Sequence, residues 1–161
     1  LGKGASLRRA FAILKEREDY DVVVMMDADG QHLPSDIPLF LKHYRHDHPG
    51  LIVGNRMARA KGMPLVRWLT NKFMSFVLSG MCRQPIPDSQ CGFRLVSKPL
   101  LKAMKLNTEN FEIESEMLLV AYRLRFPIES VPITTVYEGQ ESAIHPVKDT
   151  LRFLRFVFKK Q

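Results

Sequence analysis

The sequence contains few of the residues that mark disulfide-rich or membrane-spanning chains. Its two cysteines, Cys82 and Cys91, are too few for a disulfide framework. No apolar run reaches the ~18–20 residues that span a bilayer. Acidic residues are in the minority, with 17 Asp and Glu against 24 Lys and Arg and a net charge of +7. This imbalance favours an anionic partner such as a phosphate compound, a nucleic acid or a membrane surface.

What the chain does contain is an alternation of helix-like and strand-like segments within 161 residues, of which 45% are hydrophobic. Residues 22–26 form an unbroken apolar run, which is typical of a strand buried on both faces, and residues 51–53 predict a second strand. Helical spacing precedes the first strand and separates the two. The pattern predicts a single α/β domain with an open, mostly parallel sheet flanked by helices.

The second half continues this pattern with strands at 93–96 and 128–137 and helices at 64–80, after Ser97, at 112–124 and from 147 onward. Pro132 should confine the strand at 128–137 to an edge or a bulge. The helix at 64–80 carries an apolar stripe that indicates its packed face: Leu65, Trp68, Leu69, Phe73, Phe76 and Val77.

The last helix combines apolar and basic residues. Val147, Leu151, Leu154 and Phe158 share one stripe, and the other stripe contains Arg152, Arg155 and Lys159. Such a helix can lie at a membrane surface with its cations on anionic headgroups. It can equally be a docked helix with a solvated basic face. Binding of nucleic acid is not favoured, because no recognised module is present.

Two polar clusters directly follow the first two predicted strands. Asp27 and Asp29, with Gln31 beside them, offer oxygen ligands for Mg²⁺ or Mn²⁺, which would bridge to a diphosphate. Gly54-Asn55-Arg56 follows the second strand. Ligands of open α/β sheets bind at the carboxyl ends of strands, so both clusters lie where a site is expected. A turn with solvated aspartates is the simpler alternative for the first cluster.

One enzyme class with an aspartate pair in this position fits poorly. In haloacid-dehalogenase-like phosphatases the strand ends in Asp-x-Asp-Gly-Thr, whereas Gln31 stands here in place of the threonine. That class also requires a later acidic pair of defined spacing, and the acidic residues after position 50 do not supply it.

The chain resembles the family 2 glycosyltransferases of the GT-A fold along nearly its whole length. Residues 27–32, Asp-Ala-Asp-Gly-Gln-His, resemble the metal motif of the dolichol- and polyprenol-phosphate sugar synthases. Residues 2–5, 54–56, 88–94, 111–116 and 129–133 are similar to further family segments in the same order. Each segment alone is a weak signal, but their order and spacing together are specific.

The resemblance implies an inverting, metal-dependent transfer of a sugar from a UDP- or GDP-linked donor to a polyprenyl phosphate. Asp27, Asp29 and Gln31 would hold the metal. Guanidinium groups bind phosphate in a fork geometry. On that basis, and on the matching family positions, the expected acceptor-phosphate ligands are Arg56, Arg67 and Asn71.

Asp88 would act as general base toward a hydroxyl acceptor, or orient groups if the acceptor is a phosphate. Arg94 could pair with Asp88 or with a phosphate. The family's mobile acceptor loop matches residues 139–145, where Ser142 and His145 are candidate contacts.

The family's first strands, which hold the nucleotide base, have no counterpart in this sequence. We therefore expect a partial catalytic domain, located in the cytoplasm and peripheral to the cytoplasmic face of a membrane. A hydroxyl acceptor on a glycan or lipid is one alternative. A non-catalytic, basic domain that binds a membrane surface is the other.

Overall fold

The computed structural model describes residues 2–60, 62–136 and 146–159. Six α-helices and four β-strands are described, with short 3₁₀ helices at Pro34–Asp36 and Arg56–Arg59. In chain order the elements are α1 (Lys3–Lys15), β1 (Val22–Met25), α2 (Ile37–Asp47), β2 (Leu51–Asn55), α3 (Leu65–Cys82), β3 (Arg94–Ser97), α4 (Lys98–Ala103), α5 (Glu112–Arg123), β4 (Ile128–Pro132) and α6 (Pro146–Lys159).

The four strands form one mixed sheet in the order β1-β3-β2-β4. The predicted α/β class with a mostly parallel sheet is confirmed, because β1, β2 and β4 run in the same direction and β3 alone of the described strands is reversed. β3 runs antiparallel to both β1 and β2, and β2 and β4 are parallel. An apolar run shows that a strand is buried and not which way it runs, so the sequence did not reveal the reversal of β3.

The strand that contains Pro132 lies at the sheet edge, as its proline requires. It ends at Pro132, earlier than the predicted Tyr137, and an isolated bridge between His32 and Thr135 follows it. The short helix after Ser97 is also confirmed. The Ser97 hydroxyl caps it by accepting a hydrogen bond from the backbone N–H of Leu100.

Helix α3 faces the core with a different side from the one its apolar stripe predicts. Its buried residues are Asn71, Met74, Ser75, Leu78 and Cys82. Most of the predicted stripe is exposed, and with Val66 it forms a surface that we call the α3 apolar face: Leu65, Val66, Leu69, Phe73 and Phe76. The prediction failed because the helix is apolar on most of its circumference, and the polar residues Asn71 and Ser75 are buried for their hydrogen bonds.

Helix α6 packs against α3 and α5. Among its described side chains, Phe153 and Val157 are buried one helical turn apart, whereas Leu151 and Phe158 of the predicted stripe are exposed and Leu154 is partly buried. Arg152 and Arg155 are exposed as well, whereas the side chain of Lys159 lies outside the described part. The helix is therefore docked and still presents cations to the surroundings.

No helix in the described residues combines the length and the hydrophobicity needed to cross a membrane.

Candidate functional site

Because β3 is reversed, three chain segments meet at one end of the sheet, where strands end or begin. β1 and β2 both end there, and β3 begins there. Arg94, the first residue of β3, is in register with Met25 on one side and with Val53 on the other. The loops that follow β1 and β2 and the loop that precedes β3 therefore meet, as the two polar clusters predicted.

The loop after β1 is a compact turn that orients two carboxylates. Gly30 has a φ of 75°, which a glycine adopts without strain. Asp29 is exposed, and its Oδ1 accepts a hydrogen bond from the backbone N–H of Gln31 at 3.0 Å. Gln31 and His32 are buried beneath the turn. Nδ1 of His32 accepts the backbone N–H of Asp27 at 3.3 Å, so His32 shapes the loop from within.

The carboxylate of Asp27 lies directly on the backbone of Gly92, in the loop before β3. A Cβ atom built on Gly92 would lie 2.5 Å from Oδ1 of Asp27, far inside van der Waals contact. A side chain at position 92 would therefore displace the Asp27 carboxylate from its present position. The Asp27 carboxylate occupies the space in which a side chain at position 92 would lie.

A lysine supplies the cation that Asp27 contacts. Nζ of Lys3 lies 2.5 Å from Oδ1 of Asp27 and 2.5 Å from Oε1 of Glu114, so the ammonium group bridges two carboxylates. Burial acts to raise the pKa of Asp27, yet the charge of Lys3 and its hydrogen bond hold that pKa below the ordinary value. Burial acts to lower the pKa of Lys3, which Glu114 and Asp27 nevertheless keep above its ordinary value.

Lys3 and Glu114 are site residues that the sequence analysis missed. The flanking glycines place Lys3, since a Cβ atom on Gly4 would lie 2.6 Å from the backbone oxygen of Thr108. Helix α1 can therefore begin against the loop that leads into α5. The available signal was the Gly-Lys-Gly segment itself, in which a charged side chain stands between two positions of close backbone approach.

The second part of the site is a buried ion pair between Arg56 and Asp88. Nε and Nη2 of Arg56 donate to the two carboxylate oxygens of Asp88 at 2.8 and 2.9 Å. The backbone N–H of Arg56 donates to the same carboxylate at 3.0 Å, and Nδ2 of Asn71 donates to it at 2.7 Å. Burial acts to raise the pKa of Asp88, but Arg56 and these hydrogen bonds keep it below the ordinary value. A wholly buried carboxylate with a lowered pKa is suited to orienting Arg56 and poorly suited to accepting a proton.

Side chains around this pair fix its geometry. Ser75 donates to Oδ1 of Asn71 at 3.1 Å and accepts the backbone N–H of Ser89 at 2.9 Å, which ties α3 to the loop that contains Asp88. Arg67 lies half-buried one turn before Asn71. The Arg56 guanidinium also contributes to lowering the pKa of Asp27, so the two parts of the site are electrostatic neighbours.

Other predicted site residues have different positions. Arg94 is wholly buried, and its guanidinium donates to the backbone oxygens of Cys91, Glu114 and Ser89, so it orders the loop instead of hydrogen bonding to Asp88. Ser142 and His145 lie outside the described residues.

The residues after β1 fit a hard divalent cation. The fit rests on the donor set, with oxygen ligands from Asp27, Asp29 and Gln31 in one turn. It rests also on Lys3, whose ammonium group already stands as a cation at Asp27. A separate group on helix α2 and strand β4 brings donor atoms of His43, Asp47 and Glu129 within 4.8 Å of one another.

Comparison with protein families gives a match to the model described as Glycosyl transferase family 2 over residues 1–104. The chain is 35% identical over 122 residues to the UDP-N-acetylglucosamine–dolichyl-phosphate N-acetylglucosaminyltransferase of Methanococcus voltae, covering 73% of this chain and 49% of that protein. It is 32% identical over 125 residues to the undecaprenyl-phosphate mannosyltransferase of Micrococcus luteus, covering 73% and 50%. The chain thus spans about half the length of these relatives.

Solved structures show the same fold at low sequence identity. Glucosyl-3-phosphoglycerate synthase from Mycobacterium tuberculosis, in complex with Mn²⁺, UDP and phosphoglyceric acid, superimposes with a TM-score of 0.71 at 14% identity, covering 99% of this chain and 54% of that one. The structure of that synthase with phosphoglyceric acid alone gives a TM-score of 0.71 at 15% identity, covering 98% and 54%.

Proposed function

Because the chain belongs to glycosyl transferase family 2, we propose that it carries the metal and acceptor parts of a site that transfers a sugar from a UDP- or GDP-linked donor to a polyprenyl phosphate. The observation that carries the proposal is that two groups of charged residues lie together at the same end of the sheet. We call them the donor zone and the acceptor zone. Asp27 and Asp29 follow β1, and Arg56 follows β2. One zone suits a metal-bound diphosphate, and the other suits an anionic acceptor.

The donor zone would hold Mg²⁺ or Mn²⁺ through Asp27, Asp29 and Gln31. A bound divalent cation stabilises the charge that develops on a leaving nucleoside diphosphate. Related chains support the ion and the nucleotide, since the structural neighbour was solved with Mn²⁺ and UDP. In this chain the turn at Gly30 and the contact with Gly92 keep the two carboxylates in place.

The acceptor zone would bind a phosphate through Arg56, Arg67 and Asn71. Asp88 holds the Arg56 guanidinium in a fixed orientation, which reduces the entropy lost when the guanidinium binds a phosphate. A phosphate oxygen is already anionic and needs no strong base. Its attack on the anomeric carbon from the side opposite the leaving diphosphate inverts the configuration in one displacement. This explains why the site can leave Asp88 buried and ionised.

A membrane surface is the proposed location of the acceptor. The α3 apolar face exposes 53% of Leu69 and 79% of Phe76. Helix α6, packed against α3, adds exposed Arg152 and Arg155. Apolar side chains beside cations suit the interface of an anionic bilayer. The names of the two curated relatives, which act on dolichyl and undecaprenyl phosphates, support the same acceptor class.

Calorimetric titration with UDP- and GDP-sugars, with and without Mn²⁺, tests the donor half of the proposal. The chain and a form extended toward the length of its relatives should be compared. Metal-dependent binding by the extended form, abolished by Asp29→Ala without loss of fold, is the expected result. Absence of binding by both forms would favour the non-catalytic membrane-binding domain instead.

A further inference from the structure

Lys3 forms an ion-pair bridge that the proposed function does not use. Its ammonium group lies at 2.5 Å from carboxylate oxygens of both Asp27 and Glu114. Lys3 is only 23% exposed, and Nζ also lies 5.9 Å from the ring centroid of Phe111. It is therefore held inside the site, unlike a typical solvated surface lysine.

Glu114 keeps Lys3 in this position. Its side chain is 5% exposed, and the ion pair with Lys3 provides a counter-charge for a carboxylate that is costly to bury alone. Oε2 of Glu114 is buried and accepts no hydrogen bond from the described residues, which makes the contact at Oε1 more important. Asp27 is more accessible, at 28% exposure, so its contact with Lys3 is the one that can be exchanged at lower cost.

We propose that Lys3 is a positioning residue that competes with the divalent cation for Asp27 and, once the cation is bound, remains on Glu114 as a second cation for the donor diphosphate. The inference rests on the proposed function. Its physical basis is charge balance, since Lys3, Asp27 and Glu114 together carry one positive and two negative charges. A divalent ion alone must weaken an existing ion pair, whereas a diphosphate adds the negative charge that both cations require.

Metal and diphosphate should therefore bind with positive coupling, each raising the affinity for the other by the same factor. Without Lys3 the metal should bind more tightly alone, and the coupling should shrink. Loss of a lysine with a purely structural role would not raise the metal affinity and at the same time reduce the coupling between metal and diphosphate.

The test is a Mn²⁺ titration followed by electron paramagnetic resonance, with and without inorganic pyrophosphate as the probe. Lys3→Met should raise Mn²⁺ affinity about tenfold in the absence of pyrophosphate, because a unit charge beside a metal ligand is removed. Lys3→Arg, which keeps the charge, should stay near the parent protein. Glu114→Gln should lower the affinity, since Lys3 then pairs with Asp27 alone.

The double variant Lys3→Met/Glu114→Gln separates local competition from net charge and avoids an uncompensated buried carboxylate. It leaves the cluster with the same net charge as the parent protein, and its Mn²⁺ affinity should still exceed the parent value. If both variants that contain Lys3→Met retain the fold but bind Mn²⁺ no more tightly than the parent protein, the proposed role of Lys3 is overturned. The proposed function is not affected by that result. If the parent protein binds no Mn²⁺ and Asp27→Asn changes nothing, the donor half of the proposed function fails together with this inference.

Discussion

The Arg56 guanidinium donates hydrogen bonds to both carboxylate oxygens of Asp88, at 2.8 and 2.9 Å. The side chain of Arg56 is 4% exposed and that of Asp88 is 0% exposed. Arg56 follows a strand end, and Asp88 lies in the loop that precedes β3. The contact therefore joins two segments that approach each other only because β3 runs against its neighbours. Fold topology and site geometry depend on each other at this ion pair.

Breaking this pair should be costly. Asp88→Asn leaves the Arg56 guanidinium buried without its counter-charge, and we expect a loss of about 3–5 kcal/mol in the free energy of unfolding. Urea denaturation measures it. The double variant Arg56→Met/Asp88→Asn should lose less than the sum of the two single variants, because neither charge is then left uncompensated. Strict additivity would contradict a direct ion pair.

Low pH should lower the stability of the folded protein, because the Asp88 carboxylate becomes protonated. The folded-state pKa of Asp88 is below its ordinary value, so its stabilisation is present above the unfolded pKa of ~3.9 and is lost as the pH falls through the folded pKa. Urea midpoints should fall as the pH is lowered below about 4. Asp88→Asn should reduce this slope, whereas Glu16→Gln, at an exposed position, should not. Equal slopes in all three proteins would contradict the assignment.

A side chain at Gly92 should disturb the position of Asp27. Gly92→Ala places a Cβ atom 2.5 Å from Oδ1 of Asp27, so the Asp27 carboxylate must move away from its present position or the two loops must separate. We expect lower stability and weaker Mn²⁺ binding, measured by denaturation and by titration. Gly80→Ala is the matched control, since a Cβ atom there meets nothing within 4 Å. Gly80 lies in the last turn of helix α3, so Gly80→Ala should raise stability by at most about 0.5–1 kcal/mol.

The α3 apolar face should govern binding to membranes. Leu69→Ser/Phe76→Ser should lower partitioning onto phosphatidylglycerol vesicles about 10- to 100-fold, because two apolar side chains lose their burial in lipid. Sedimentation with the vesicles measures this. Ile13→Ser is the control, because Ile13 is 63% exposed on α1 and lies outside the face. Equal loss in the control would indicate nonspecific adsorption.

Cations on α6 should contribute a salt-dependent part of the same binding. Arg152→Gln/Arg155→Gln should reduce affinity for anionic vesicles at low ionic strength and have little effect at high ionic strength, where charges are screened. Neutral phosphatidylcholine vesicles provide the comparison. An effect of equal size on neutral vesicles would contradict an electrostatic role.

The sequence predicted those features that depend on local pattern. The strand before Asp27, the edge position enforced by Pro132 and the cap at Ser97 all follow from short segments. The expected burial of that strand on both faces is not observed, because β1 lies at an edge of the described sheet and only Met25 in it is buried. The turn that contains Asp27 and Asp29 and the cluster around Arg56 were expected at strand ends, and the structure brings them to the same end of the sheet.

Features that depend on long-range packing were not predicted. The direction of β3 is set by where the chain re-enters the sheet, and no local pattern records it. Helix α3 is apolar on both sides, so burial of Asn71 and exposure of Phe76 could be decided only by hydrogen bonding to the loop around Asp88. The bridge from Lys3 to Glu114 joins the start of helix α1 to helix α5, and the Gly-Lys-Gly segment does not indicate which residue Lys3 contacts.

The central claim is that the acceptor is an anionic lipid phosphate bound beside a metal-held nucleotide sugar. The most direct measurement is sugar transfer by a form extended to the length of the relatives, with Mn²⁺ and labelled UDP-GlcNAc or GDP-mannose. Undecaprenyl phosphate and undecaprenol should be offered in parallel. We predict transfer to the phosphate with inversion at the anomeric carbon, and loss of that transfer in Arg56→Met. Equal transfer to the alcohol, or transfer that survives Arg56→Met, would contradict the account.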